Sequence, residues 1–105
     1  MISTHILDTS KGSPAGGITV RLEKKEGNAW KTLSTGVTNS DGRFVFDCDN
    51  APGIYQIIFE IEEYLKNQDH FFLNTPVIFK IENTQRKYHV PLLLNPFGYS
   101  TYRGS

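Results

Sequence analysis

The chain has 105 residues, of which 11 are basic and 11 acidic, so its formal net charge at neutral pH is zero. One domain of this length buries roughly two thirds of the surface its unfolded chain exposes, and balanced charge offers no basic footprint to a phosphate backbone or an anionic lipid surface, which sets nucleic acid and membranes aside as partners. No apolar run approaches the ~20 residues of a membrane span, the lone Cys48 excludes an internal disulfide, and the short stretch before His5 leaves no room for a signal peptide, so the expected location is cytoplasmic.

Taken in order, the chain reads as short alternating segments between turns. Near residues 4 to 8, Thr4 and Ile6 oppose His5 and Leu7, and with one apolar residue on each face the inward side stays open. Gly12-Ser13-Pro14 and Gly16-Gly17 turn the chain into a segment where Ile18, Val20 and Leu22 alternate with Thr19, Arg21 and Glu23, the period of a half-buried strand. Glu26-Gly27-Asn28 leads to a strand over 30 to 37, and Asn39-Ser40-Asp41-Gly42 fixes the start of the next. There Phe44, Phe46 and Cys48 face inward and Arg43, Val45 and Asp47 outward. Beyond Asn50-Ala51-Pro52-Gly53 a fifth strand runs from 54 to 61. Residues Glu62 to Gln68 then lose β-branched side chains and gain helix formers, which predicts one short crossover helix. Asn74-Thr75-Pro76 introduces Val77, Phe79 and Ile81, and Glu82-Asn83-Thr84 precedes a strand whose Tyr88, Val90, Leu92 and Leu94 point inward and whose His89 and Pro91 point outward. Asn95-Pro96-Phe97-Gly98 turns into a last segment over 98 to 103, with Tyr99, Thr101 and Arg103 on one face and Ser100 and Tyr102 on the other, too polar for a core. About eight strands at this spacing make an all-β, antiparallel sandwich in one domain over residues 1–105.

Three features could carry chemistry. His89 faces out and is free to titrate, Arg43 follows a tight Asp-Gly turn that fixes its position, and the tail from Tyr99 to Ser105 packs two phenols, three hydroxyls and a guanidinium together. Imidazole activates water near neutral pH and returns the proton, while a guanidinium fork suits a carbonyl or a developing oxyanion. The set fits hydrolysis of a small, planar, carbonyl-rich heterocycle. Covalent catalysis fits poorly: there is no Gly-x-Ser-x-Gly elbow, Cys48 sits at an expected core position, and Ser105 is better suited to binding than to attack. Three histidines are in principle enough for a zinc ion, but His5, His70 and His89 lack ligand spacing, and neither metal nor cofactor is expected. The acidic residues at 23, 26, 60, 62 and 63 read as a solvated surface, and Phe44, Phe46, Tyr55, Phe59 and Phe79 as core.

Taken together, Ser3-Thr4-His5-Ile6-Leu7-Asp8, the turn Thr38-Asn39-Ser40-Asp41-Gly42-Arg43, the segment Tyr88-His89-Val90-Pro91-Leu92-Leu93-Leu94-Asn95-Pro96-Phe97-Gly98 and the tail Tyr99-Ser100-Thr101-Tyr102-Arg103-Gly104-Ser105 resemble the transthyretin-like 5-hydroxyisourate hydrolases along the whole chain. The resemblance implies a transthyretin-like sandwich assembled as a homotetramer, with sites in a cleft between dimers. Catalytic roles fall to His5, Arg43 and His89, and substrate binding to His5, Arg43, Tyr102, Arg103, Gly104 and Ser105. By the same resemblance the substrate is 5-hydroxyisourate, whose six-membered ring is opened by water to 2-oxo-4-hydroxy-4-carboxy-5-ureidoimidazoline in urate degradation. His89 and His5 would handle water and protons, either one as the base, while Arg43 polarises the substrate and Tyr102 and Arg103 hold it. The rival reading is a transthyretin-type carrier of a small ligand, which lacks the Tyr-Arg-Gly-Ser ending. A purely structural sandwich leaves the polar tail unexplained.

Overall fold

Alternation along the chain becomes two packed sheets in the computed structural model, which describes Met1–Ser105. The elements run β1 (Ile2–Asp8), β2 (Ser13–Pro14), β3 (Thr19–Glu26), β4 (Ala29–Val37), β5 (Arg43–Phe46), β6 (Gly53–Phe59), α1 (Ile61–Tyr64), β7 (Thr75–Ile81), β8 (Tyr88–Asn95) and β9 (Gly98–Thr101). One sheet has the order β2-β1-β8-β9, with β5 also paired to β1, and the other has the order β4-β3-β6-β7. Ile2 and Ile6 from β1, Val20 and Leu22 from β3, Tyr55, Ile57 and Phe59 from β6, and Tyr88, Val90, Leu92 and Leu94 from β8 interlock between the sheets. The inward alternations read from β3 and β8 therefore hold. Truncating a side chain as enclosed as Ile57 typically costs about 2–5 kcal/mol.

Six details differ from expectation. The sandwich is not wholly antiparallel, because β1 and β8 run parallel, with Ser3 opposite His89 and His5 opposite Pro91. The short pair β2 brings the strand total to nine. The fifth strand of the sequence reading, here β6, stops at Phe59, and Ile61 opens the helix rather than closing the strand. The helix is four residues long instead of spanning Glu62 to Gln68: Ile61 and Leu65 are fully enclosed in the core, and Asn74 fastens the helix start by accepting from Glu62 N at 3.1 Å while its own N–H donates to the Glu62 carboxylate at 2.9 Å. The last strand ends at Thr101 rather than 103. Pro91 has no N–H to give to the ladder at that point, its carbonyl accepts from Thr101 Oγ1 at 2.7 Å, and pairing resumes only at the isolated bridge between His89 and Gly104. Pro91 itself is buried rather than open to solvent, since β1 and the β9 segment flank it.

A carboxylate staples the β1 end of the sandwich to the helix. Asp8 accepts from Ser10 N, Ser10 Oγ, Lys11 N and Tyr64 Oη. Burial pushes its pKa up, but the hydrogen bonds from Ser10, Tyr64 and Lys11 outweigh that and hold the carboxyl below its usual range. The Tyr64 phenol, buried and donating to that carboxylate, is pushed up to about 12. No helix is long and apolar enough to cross a membrane.

Candidate active site

Packing decides which face of β1 looks outward. Ile2, Thr4 and Ile6 are enclosed, and Thr4 tolerates the core because its hydroxyl donates to the Val90 carbonyl at 2.6 Å. Ser3, His5 and Leu7 are thereby left on the outer face, each only partly covered.

Arg43 reaches the same face through its turn. The Asn39 side chain accepts from Asp41 N at 2.9 Å and Arg43 N at 3.0 Å, and Gly42 takes a φ of +73°, where a side chain would also drive its Cβ to 2.3 Å from the Ile6 carbonyl oxygen. Only glycine fits that close approach. Ile6 N donates to Gly42 O at 2.7 Å, and the resulting register puts Arg43 directly opposite His5, a spacing of roughly 4.5–5.5 Å between Cβ atoms.

His89 arrives from the other side of β1. Its Nδ1 lies 2.8 Å from Ser3 Oγ, and its carbonyl accepts from Gly104 N at 2.8 Å. A Cβ on Gly104 would fall 2.7 Å from His89 Cδ2, so glycine is what allows the tail to lie against the ring. The imidazole is held on two edges and open on the third.

The tail divides around this histidine. A cavity of about 220 Å³ is lined by Ser3, Arg43, Lys87, His89 and Ser105 among others. A second, of about 370 Å³, lies between β7 and the tail and is lined by Val77, Phe79, Lys80, His89, Tyr102 and Arg103, among others. Within one chain, then, Arg43, His89 and Ser105 share a cavity, Tyr102 and Arg103 share the neighbouring one, His89 borders both, and Gly104 forms the seam. His5 lines neither cavity, but its charge acts on His89.

Electrostatically the site is mainly cationic, with Glu82 the one acidic side chain that lines either cavity. The ion pairs of the chain join Arg21 to Glu23 and Glu60, Lys31 to Glu26, Lys66 to Glu63, and Lys80 to Glu82, which leaves Arg43 and Arg103 without an acidic partner. Burial, then the Arg43 guanidinium and then His5, lower the pKa of His89 below the usual imidazole value, so the ring is neutral and able to take a proton at neutral pH. Cys48 is half-buried against the core and its thiol is pushed up chiefly by burial, away from thiolate chemistry. His70 pairs through Nδ1 with the Phe72 carbonyl at 3.0 Å, and no three His, Cys, Asp or Glu side chains meet in a group that could hold a metal ion.

Several lining residues escaped the sequence reading, Ser3 and Lys87 beside His89 among them. Ser3 stands two residues before His5 on the outward face of β1, and Lys87 two before His89, just ahead of β8. The signal for Lys87 was the same period that exposed His89; Ser3 could be placed only once Thr4 was known to face inward.

The fold and this outer-face cluster define a transthyretin-type β-sandwich that presents imidazole, guanidinium and hydroxyl groups to a small polar molecule. The chain belongs to the HIUase/Transthyretin family, which it matches over residues 2–104. It is 47% identical to a 5-hydroxyisourate hydrolase of Salmonella typhimurium over 110 residues, covering 100% of this chain and 81% of that protein. A structure of the Klebsiella pneumoniae 5-hydroxyisourate hydrolase superposes with a TM-score of 0.86 at 37% identity, covering 99% of this chain and 98% of that one. A sea bream transthyretin in complex with thyroxine superposes with a TM-score of 0.88 at 28% identity, covering 98% of this chain and 93% of that one.

Proposed function

We propose that the protein hydrolyses 5-hydroxyisourate, opening its six-membered ring to 2-oxo-4-hydroxy-4-carboxy-5-ureidoimidazoline in urate degradation. The observation that carries this reading is the meeting of Arg43, His89 and Ser105 around one cavity, beside His5 and sealed by Gly104. Water adds to a ring amide carbonyl, the carbon–nitrogen bond breaks, the carbonyl becomes the product's carboxyl group, and the nitrogen leaves as part of the ureido group. Neutral His89 takes the proton from water and returns it to the departing nitrogen. A general base of this kind contributes typically ~10²–10⁴-fold. The unpaired Arg43 fork stabilises the charge that grows on the carbonyl oxygen, with His5 beside it, while Tyr102, Arg103 and Ser105 orient the heterocycle. No step calls for a metal or cofactor.

The divided tail supports assembly. Exposed Ile78 on the sheet edge β7 and exposed Tyr102 just beyond the edge strand β9, at 61% and 57% of their free surface, would be covered by a second copy. We read the protein as a homotetramer in which the outer faces of facing sheets enclose the sites between dimers, so that Tyr102 and Arg103 act in a cleft that one chain leaves open. The lone thiol, half-buried, suits the reducing cytoplasm.

An ultraviolet time course with freshly generated 5-hydroxyisourate tests the activity, and light scattering tests the assembly. Accelerated decay is expected, and its loss is expected on deleting Tyr102 to Ser105, with each subunit still folded. A protein that binds the compound without consuming it would make it a carrier. Full activity without the tetrapeptide, or in a monomer, would refute the shared site.

A further inference from the structure

We infer that Ser3 is the positioning residue of His89, holding the imidazole in the tautomer whose Nε2 is the free base; this rests on the hydrolase reading above. The contact is built by register: β1 and β8 run parallel with Ser3 directly opposite His89, and Ser3 Oγ lies 2.8 Å from Nδ1. Gly104 closes the Cδ2 edge of the ring, where a Cβ would come within 2.7 Å. Nε2 is therefore the one ring nitrogen left for water.

The chemistry of a hydroxyl explains why serine serves here. In the assigned tautomer its oxygen accepts from Nδ1–H both when Nε2 is bare and after Nε2 has taken a proton, so nothing has to turn during the reaction. A carboxylate at this place would also accept, but it would stabilise the imidazolium and work against the surroundings. Those surroundings are mainly cationic: His5 on β1, Arg43 on β5, Lys87 just before β8, and Arg103 from the tail, next to the phenol of Tyr102, while the one acidic side chain lining either cavity, Glu82, is paired with Lys80. The outcome is a base that is oriented but not pre-charged.

The test combines kinetics with nitrogen-15 detection of the His89 tautomer in the free protein, comparing wild type with Ser3→Ala, Ser3→Thr and Ser3→Asp. Wild type is expected to carry its proton on Nδ1. In Ser3→Ala the proton moves to Nε2, the tautomer that free imidazole side chains favour, and kcat falls about tenfold with KM within twofold, a part of the ~10²–10⁴-fold that the base contributes. Threonine keeps the hydroxyl and restores both. Aspartate raises the His89 pKa and moves the acid limb of the rate profile to higher pH. An unchanged tautomer in Ser3→Ala, or a kcat loss that threonine does not restore, would overturn the assignment. If wild type does not open the ring, the hydrolase reading fails, and the tautomer comparison still decides the Ser3 pairing on its own.

Discussion

Replacing Gly104 by alanine adds a single methyl group, and its effect can be worked out from the seam it occupies. The new Cβ would lie 2.7 Å from His89 Cδ2, 3.3 Å from Cγ and 3.4 Å from Cβ. Ordinary carbon contacts sit at roughly 3.5–4.0 Å, so the nearest pair overlaps by about 0.8 Å or more. The ring cannot simply retreat, because Ser3 holds its far edge at 2.8 Å. If the tail lifts instead, the bond from Gly104 N to the His89 carbonyl is lost, at about 0.5–1.5 kcal/mol, which lowers the melting temperature by only a few degrees in a domain of this size. Either movement displaces catalytic or binding groups by close to 1 Å, enough to cost about 10²-fold in rate. The expected result is a folded protein with kcat/KM for 5-hydroxyisourate about 100-fold down, read by ultraviolet decay beside a melting curve. An alanine variant with wild-type kcat/KM would refute the reasoning, and so would a loss of activity that merely tracks unfolding.

Other consequences follow from the same geometry. Arg43→Lys keeps the charge but loses the fork, so kcat/KM should fall by roughly tenfold; a fully active lysine variant would reduce Arg43 to a diffuse field. Arg43→Gln removes a cation that opposes the imidazolium, so an NMR titration should show the His89 pKa rising toward 6.5. With its folded value below the unfolded one, His89 gives up stability as pH falls from about 6.5 through the folded value, and wild-type activity should persist below pH 6.5 for the same reason; an unmoved titration would remove Arg43 as a cause. Tyr64→Phe takes one donor from Asp8 and should cost about 1–3 kcal/mol in urea unfolding at pH 7. Because the folded pKa of Asp8 is depressed, its contribution is present above about pH 4 and is lost as pH drops through the folded value. The phenylalanine variant should therefore show a shallower acid slope, and an unchanged slope would show that Tyr64 does not tune Asp8.

Much of the sandwich was legible because its strands alternate cleanly. Ile18, Val20 and Leu22, and again Tyr88, Val90, Leu92 and Leu94, needed nothing beyond the period-two pattern, and the Asn39 to Gly42 turn announced where Arg43 begins its strand. What stayed hidden depended on partners far away in sequence. The face of β1 could not be read from Thr4 and Ile6, since a threonine enters the core only if an acceptor waits there, and that acceptor is Val90, 86 residues on. The parallel pairing of β1 with β8 has no local signature, so the contact between Ser3 and His89 was invisible. Pro91 was visible but misread. Its side chain was expected to point out of the sandwich, and there flanking strands bury it while its missing N–H lets the tail leave the ladder. The helix was placed late because Ile61 resembles the end of a strand until its burial is known.

The parallel pairing has a consequence for how the protein is made. During translation β1 emerges first, yet the strand that lies along its whole length arrives 86 residues later, a delay on the order of 10 s at ordinary elongation rates of ~5–20 residues per second. Until then one long edge of β1 has no ladder partner, the situation in which nascent β-chains associate wrongly. The same long closure predicts folding on the millisecond-to-second scale typical of sandwiches rich in distant contacts. His5 and Ser3 thus leave the ribosome well before the histidine they serve, and the site cannot be complete until β8 has docked along β1.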